Sequence, residues 1–410
     1  MKTRLNKAIF GSSDDTYWES VASFYHKSSY GAITITGEIT DTLLLSNYTV
    51  SSLNNVGENA PETVVIPAFY KAASADLLKK YDQDADGRVD ATLFVYSNNY
   101  SADGSGAYWA WVWYPDNGTS TAKPQIGTYF WVSYAFMNDS GSNYIDAHTF
   151  IHECGHIMGL DDYYCYDSTK AYDPAGDKEM QSYNIGDQGM FSKLELGWVN
   201  PYVLDATHAD SVTVPLRSSA LYPDALLIND SWNGTPNDEY ILVEYYTPEG
   251  NNYLDSHTQY SGRKLMYTNS GLRIYHVDAR LAKLSFDASG NSTFVSYSDE
   301  IIKNDGFVYF TGASNSSSWS YLDTSAHRYN YRLLSLQQAD VTSGSSTKAL
   351  VNGGSASVTE TLYTKGKTWT ALSTIFSNGA NTFNDGAKVG YSIALTSTTD
   401  GVANVTVTRI

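Results

Sequence analysis

The sequence is poor in cysteine, poor in basic residues and free of long apolar runs. Its two cysteines, Cys154 and Cys165, are too few for a disulfide scaffold and the wrong set for a four-ligand zinc site. Lys and Arg number 26 against 44 Asp and Glu, giving a formal net charge of −18. Such a surface repels phosphate backbones and anionic lipids, which argues against a nucleic-acid partner. No run approaches the roughly 18 apolar residues of a membrane-spanning helix, so we expect no membrane span.

What remains is the composition of a folded, tyrosine-rich protein. Hydrophobic residues make up 42% of the 410 residues, with 34 Tyr and 9 Trp. The length predicts two or three domains, of which we expect two, 1–205 and 206–410. We expect the fold class to be α+β and the protein to be monomeric. Residues 1–15 contain basic residues but no apolar run of signal-peptide length, which leaves two alternatives: a cytosolic protein, or an export signal that is absent from this chain. We favour the second.

The pattern of apolar residues divides the chain into a mixed first part and an all-β second part. Helical spacing predicts helices over 16–25, 67–81 and 144–159, and the alternating run AITITGEITDTLLLS predicts one or two strands. Strand-like runs at 92–97, 107–114 and 127–136 lie between these helices. After residue 201, short apolar runs separated by Gly, Asn and Ser predict a β-sandwich.

The run HECGHIMGLDD carries the strongest chemical signal. His152 and His156 are four residues apart on the predicted helix, so both rings face one side and can bind one Zn²⁺. Glu153 lies about 100° around the helix from His152, beside the metal and not on it. A carboxylate there can act as general base for a metal-activated water.

The third zinc ligand is predicted from the turn after the helix. Gly159 occupies the position where helices often end in the left-handed conformation, and a sharp return of the chain brings Asp162 back to the metal. Three protein ligands leave the fourth position that a catalytic zinc site needs. The competing interpretation takes Glu179 as third ligand.

The residues around this motif resemble a known family. HExxHxxGxxD followed by DYY and by MQSYNIGDQGMFSKLELGWVNPY is similar to the immune inhibitor A family of secreted bacterial metallopeptidases, a metzincin-like group. SFYHKSSYGAITITGEI, DQDADGRVD, EYILVEYY and GLRIYHVDARL resemble segments of that family in the same order, over most of the chain. The resemblance implies a metzincin-like domain with a twisted mixed sheet and an active-site helix, and a signal and propeptide absent from this chain.

One position departs from that family's pattern. The methionine expected below the zinc falls at Gln181, with Met180 one residue earlier, so either side chain can underlie the metal. By analogy with other metzincins, Tyr183 is a candidate donor to the developing oxyanion. A packed structural tyrosine is the alternative.

An acidic loop after the second predicted helix indicates a calcium site. Its aspartates occupy positions 1, 3, 5 and 9 of a calcium-loop pattern, with Gly87 at position 6, the backbone carbonyl of Arg88 at position 7, and Leu93 instead of Glu at position 12. A solvated acidic turn is the alternative. The predicted ligands are Asp82, Asp84, Asp86, Arg88 and Asp90.

Other candidates have weaker signals. Cys154 lies about 200° around the helix from His152, so we expect it to point away from the metal, and its pairing with Cys165 is left open. His148 is expected to be exposed or to support the ligands from behind. Glu244, His276 and Asp278 fall in strand-like runs, and we interpret them as structural or as minor calcium contacts.

The sequence therefore predicts a secreted zinc endopeptidase that binds a protein or peptide substrate in extended form along an edge strand. The predicted cofactors are catalytic Zn²⁺ and structural Ca²⁺. The alternative is an extracellular protein that binds glycans or a host surface and carries an inactive zinc site.

Overall fold

The chain is mixed α+β, with several mixed sheets and few helices. This confirms the predicted fold class at that level. The computed structural model describes residues 1–101, 103–115, 124–141, 144–164, 174–259, 263–289, 292–298, 308–310, 333–339, 362–372, 382–384 and 386–410.

The chain divides into two compact units. The first comprises Met1–His26 and Thr34–Leu160, and the second comprises Lys27–Ile33 and Asp161–Ile410. The boundary predicted near residue 205 lies inside the second unit. Compactness alone does not define a functional domain, so that boundary stays a prediction.

The helices of the first part of the chain are short. They are α1 (Lys2–Phe10), α2 (Val21–Ser28), α3 (Val50–Asn54), α4 (Ile66–Ala72), α5 (Ala75–Lys80) and α6 (His148–Ile157). Single turns of 3₁₀-helix lie at Ser13–Asp15, Gly57–Asn59 and Tyr134–Asn138, and a π-helical turn lies at Pro61–Val65.

Three helix predictions need correction at their ends. The helix predicted over 144–159 begins later, at His148, and ends at Ile157. The helix predicted over 16–25 begins later, at Val21, because Ser20 and Ser23 exchange hydrogen bonds in a capping arrangement, at 2.9 and 3.0 Å. The helix predicted over 67–81 is divided into α4 and α5. Ala73 is extended there, and the Ser74 hydroxyl caps α5 by accepting the Leu77 N–H at 3.1 Å.

The strands predicted over residues 32–46 are absent: the structure describes this segment without any strand. Alternation of apolar and polar residues predicts an extended chain, but a strand also needs a hydrogen-bonded neighbour. Leu43 and Leu45 instead pack against the core of the first unit. These two leucines therefore contribute to packing without belonging to a sheet.

The first unit has a small sheet that supports α6. Its strands are β1 (Arg88–Val89), β2 (Thr92–Tyr96), β3 (Trp111–Trp113), β4 (Gln125–Ile126) and β5 (Tyr129–Ser133). β5 lies between β2, which is parallel to it, and β3, which is antiparallel. The three strands predicted from apolar runs in this region are thus confirmed. β3 is an edge strand among the described residues.

The second unit is mostly strand. Its helices are α7 (Met180–Tyr183), α8 (Met190–Glu195) and α9 (Tyr253–His257), with a 3₁₀ turn at Gly250–Asn252. Its strands are β6 (Tyr202–Leu204), β7 (Ser211–Leu216), β8 (Leu226–Ile228), β9 (Glu239–Tyr246), β10 (Gly271–Asp278), β11 (Leu281–Phe286), β12 (Ser292–Ser298), β13 (Val308–Phe310), β14 (Leu334–Leu336), β15 (Thr368–Trp369), β16 (Tyr391–Thr399) and β17 (Val402–Arg409).

Two sheets of the second unit share one hydrophobic core. One has the order β14-β10-β9-β8-β6 and the other β15-β16-β17-β7, and a third, smaller sheet has the order β12-β11-β13. Ile241 and Ile274 of the first sheet lie in the same buried cluster as Ile393 and Val405 of the second. Two sheets that bury their facing side chains together form a sandwich-like arrangement.

A set of buried hydrogen bonds around the Lys193–Asp187 ion pair connects Tyr30, in the early segment of the second unit, to the later part of that unit. Lys193 Nζ lies 2.7 Å from a carboxylate oxygen of Asp187 and also donates to the Ser219 carbonyl and to the Tyr30 hydroxyl, at 3.0 and 3.1 Å. The Tyr30 hydroxyl donates in turn to the Ser219 carbonyl at 2.7 Å. Every polar group of this set thus has a partner, as burial of charge requires.

No helix in the described part of the chain has both the length and the apolar content needed to cross a membrane.

Candidate metal centre

Helix α6 carries the candidate ligands and is buried along most of its length, from His148 to Gly155. It packs against β5 and β3, and the Phe150 ring meets Phe130 of β5 edge to face at 6.0 Å. A helix that is buried all round belongs to the interior of its unit. Its polar side chains are therefore surrounded by protein.

The two histidine rings of α6 bring their Nε2 atoms close together, with the ring planes 85° apart. Nε2 of His152 and Nε2 of His156 are 3.0 Å apart. Tetrahedral zinc with bonds of about 2.0–2.1 Å separates two ligand nitrogens by about 3.3 Å, so the observed spacing is close to what one metal ion requires. Nδ1 of His156 lies 2.7 Å from the Leu160 carbonyl oxygen. Because that oxygen can only accept, Nδ1 carries the proton and Nε2 presents its lone pair.

The helix ends as the sequence predicts. Gly159 has φ +95°, the left-handed conformation. The Leu160 N–H bonds to the Gly155 carbonyl at 3.1 Å and the Gly159 N–H to the His156 carbonyl at 3.0 Å, which together form a Schellman motif. This turn redirects the chain immediately after the second histidine.

Asp162 is the third member of the group. One ligand atom from each of His152, His156 and Asp162 lies within 4.8 Å of the others, and the Asp162 side chain is buried. The chain beyond it is held in place, because the Tyr163 N–H donates to the Gln181 carbonyl at 2.9 Å. The three residues thus form a possible metal-binding group. Two imidazole nitrogens and one carboxylate are a donor set that zinc accepts.

The general-base candidate and the competing ligand both lie outside this group. Glu153 is buried and adjacent to His152, yet it is not a member, as expected for a base. Glu179 is also not a member. One Glu179 carboxylate oxygen accepts the Gly189 N–H at 3.1 Å, and the other has no hydrogen-bond partner among the described residues. Burial raises the pKa of Glu179 to about 8, although the Gly189 bond and the Arg273 charge act in the opposite direction.

The segment that departs from the family pattern forms the single-turn helix α7. Met180 and Gln181 are both fully buried, and the Gln181 side-chain oxygen accepts from Gln188 Nε2 at 3.0 Å. Tyr183 is half-buried, and its ring lies under the charged groups of Arg263 and Lys264, at 5.1 and 5.6 Å. The oxyanion role of Tyr183 stays a prediction.

The acidic loop brings three of its five predicted ligands together. Carboxylate oxygens of Asp82, Asp84 and Asp86 lie within 4.8 Å of one another. Asp90 is not in this group, and its Oδ1 accepts the Gln83 N–H at 3.3 Å. Arg88 begins β1, which pairs with β4. Calcium binding by this loop stays a prediction.

The remaining candidates that the structure describes are buried. Cys154 has a free thiol whose pKa is raised by burial and by the Glu153 charge, while Cys165 lies outside the described residues. In the second unit Glu244 pairs with Arg273 and Asp278 with Arg280, each at 2.7 Å, and His276 Nε2 lies 2.7 Å from a Glu239 carboxylate oxygen.

Sequence reasoning did not single out Asp146, which holds the start of α6. Its Oδ1 accepts the His148 backbone N–H at 3.0 Å and lies 2.8 Å from His148 Nδ1. Burial alone would raise the pKa of Asp146, but the interactions with His148 and Ser140 outweigh it and lower the pKa. An aspartate two residues before the first residue of α6 is a capping signal, but the helix was predicted to begin at residue 144, which placed Asp146 inside it.

No family model matches this chain, and no curated protein sequence is significantly similar to it.

Proposed function

We propose that this protein is a zinc-dependent endopeptidase of extracellular proteins. The proposal rests on the grouping of His152, His156 and Asp162, with the buried carboxylate of Glu153 next to the first of them. Two histidines and a carboxylate as metal ligands, next to a glutamate that is not itself a ligand, are the combination that metal-assisted hydrolysis uses. The resemblance to the immune inhibitor A family supports this assignment and a secreted location.

In this proposal His152 and His156, through Nε2, and Asp162, through a carboxylate oxygen, hold the zinc ion. When bound, zinc supplies a Lewis acid that polarises the substrate carbonyl and lowers the pKa of a water molecule. The Glu153 carboxylate accepts a proton from the attacking water and passes it to the leaving amine. The Leu160 carbonyl keeps the proton of His156 on Nδ1.

We assign the extended substrate to the edge strand β3. An extended peptide adds to an exposed strand edge through backbone hydrogen bonds. β3 lies at the edge of its sheet among the described residues, and α6 packs against it. The proposal also includes Tyr183 as a hydrogen-bond donor to the developing oxyanion and the acidic loop as a calcium site.

The decisive experiment combines metal analysis with hydrolysis of casein, with and without a zinc chelator. We expect about one zinc per chain and chelator-sensitive cleavage. Glu153→Gln should keep its zinc and lose hydrolysis, because the base is removed and the ligands remain. His156→Ala should lose zinc. Undiminished hydrolysis by Glu153→Gln would contradict the mechanism.

Matched variants test the third ligand. Asp162→Asn should weaken zinc binding, whereas Asp161→Asn, which removes the neighbouring carboxylate outside the metal-binding group, should not. Glu179→Gln should also keep its zinc. Loss of zinc in Glu179→Gln with retention in Asp162→Asn would reverse the assignment. Zinc without cleavage, together with saturable glycan binding, would favour the binding-protein alternative.

A further inference from the structure

The start of α6 is held by a buried assembly that contains no proposed ligand. We call Asp146, His148 and Trp18 the brace. The His148 ring is fully buried and stacks on the Trp18 ring, with centroids 4.2 Å apart and planes 7° from parallel. Its Nδ1 lies 2.8 Å from Asp146 Oδ1, and the other Asp146 oxygen accepts the Ser140 hydroxyl. The contact with Asp146 thus restrains the imidazole within its own plane, and stacking on Trp18 restrains it perpendicular to that plane.

The brace lies in line with the proposed ligands. His148, His152 and His156 follow one another at four-residue intervals, so their side chains occupy successive turns on one side of α6. A ring nitrogen about 6 Å from the helix axis moves by about 1 Å when the helix rotates by about 10°. Zinc–nitrogen distances tolerate only about 0.2 Å. Fixing the rotation of α6 at His148 therefore fixes where His152 presents its nitrogen.

A second contact restrains the next turn of the helix. The Tyr25 hydroxyl, fully buried, donates to the Ile151 carbonyl at 2.7 Å. Ile151 directly precedes His152. The helix is thus held one turn before the first ligand and again at the adjoining residue.

We propose that the brace positions His152 for zinc and thereby sets the metal affinity of the site. Asp146, His148 and Trp18 act as positioning residues, because they act on the metal only through α6. This inference rests on the proposed function, in which His152 is a zinc ligand.

The test measures zinc affinity by competition with a chromophoric chelator, with no requirement for hydrolysis. Trp18→Leu and Asp146→Ala should lower zinc affinity about 10- to 100-fold, the usual cost of removing a group that orients a ligand. Asp146→Asn should stay within about threefold of wild type, because its amide oxygen still accepts both His148 N–H groups. Trp369→Leu is the matched control, since Trp369 is a buried tryptophan in the core of the second unit.

The outcomes separate the brace from the proposed function. Wild-type affinity in folded Trp18→Leu would overturn the positioning role, and so would an equal loss in Trp369→Leu, which would point to general destabilisation. If Asp146→Ala does not fold, the zinc affinities of Trp18→Leu and Asp146→Asn still test the positioning role. Failure of the wild-type chain to bind zinc would overturn the proposed function and, with it, the brace. If wild type binds zinc tightly and the brace variants bind it equally well, the positioning role of the brace is overturned and the proposed function is not.

Discussion

Replacing Glu179 by glutamine should stabilise the folded protein increasingly as the pH rises. The side chain is 1% exposed, and only one of its carboxylate oxygens has a hydrogen-bond partner among the described residues. An ionised carboxylate is costly in such a place, so the folded protein keeps this group protonated at neutral pH. Glutamine has nearly the same shape, keeps an oxygen for the Gly189 N–H, and cannot ionise.

The size of the effect follows from the pKa of Glu179, which rises from its ordinary value of 4.5 to about 8. The unfolded chain releases this proton near pH 4.5, whereas the folded chain holds it until about pH 8. Between these values the folded state binds more protons, so the contribution of Glu179 to stability falls as pH rises. At about 1.4 kcal/mol per pH unit, wild type should lose about 2–3 kcal/mol relative to the variant between about pH 5.5 and pH 7.5.

Urea denaturation of both proteins over this pH range measures the effect. The difference between their free energies of unfolding isolates residue 179, because every other titrating group is common to both. Glu58→Gln, which removes an exposed carboxylate, is the control and should show no such trend. A wild-type to Glu179→Gln difference that does not change with pH would refute the reasoning, since it would mean that this carboxyl ionises normally in the folded state.

Three further predictions concern the other sites. Tyr183→Phe should lower kcat about 10²- to 10³-fold with zinc content unchanged, the usual cost of one oxyanion donor, and an unchanged kcat on a casein peptide would remove that role. Calcium should raise the Tm of wild type in calorimetry but not that of Asp84→Ala, and an equal response of both would argue against the loop as the site. Lys193→Met leaves the Asp187 charge buried alone and should cost about 3–5 kcal/mol in urea denaturation, most of it recovered by adding Asp187→Leu; a loss that persists in the double variant would contradict the ion-pair explanation.

Local rules were enough to predict the metal-binding group. The spacing of His152 and His156 needs only the helix period, and Gly159 adopts the left-handed conformation that its place at the end of α6 requires. Asp162 then follows within three residues. Each of these relations is confined to one short stretch of chain, so no knowledge of distant contacts was needed.

What failed depends on residues far apart in sequence. The segment 32–46 was predicted as strand from its alternation, but strand formation depends on a neighbour that the pattern cannot identify. Of the two alternatives for His148, exposure is wrong, because the side chain is fully buried, and its contact with Trp18 joins residues 130 positions apart. The raised pKa of Glu179 results from its burial, which exceeds the opposing effect of the Arg273 charge, and no local pattern of the sequence predicts either of these.

The path of the chain limits how this protein can be cut into pieces or assembled during synthesis. Residues 27–33 belong to the second unit although the chain on both sides of them belongs to the first. A fragment starting at Asp161 therefore lacks Tyr30 and leaves Lys193 with one acceptor fewer in a buried place. During synthesis Tyr30 leaves the ribosome well before Lys193, so this contact forms only after the intervening chain has been made. No single cut within residues 34–160 yields a fragment that contains the whole second unit, because residues 27–33 remain on the other side of the cut.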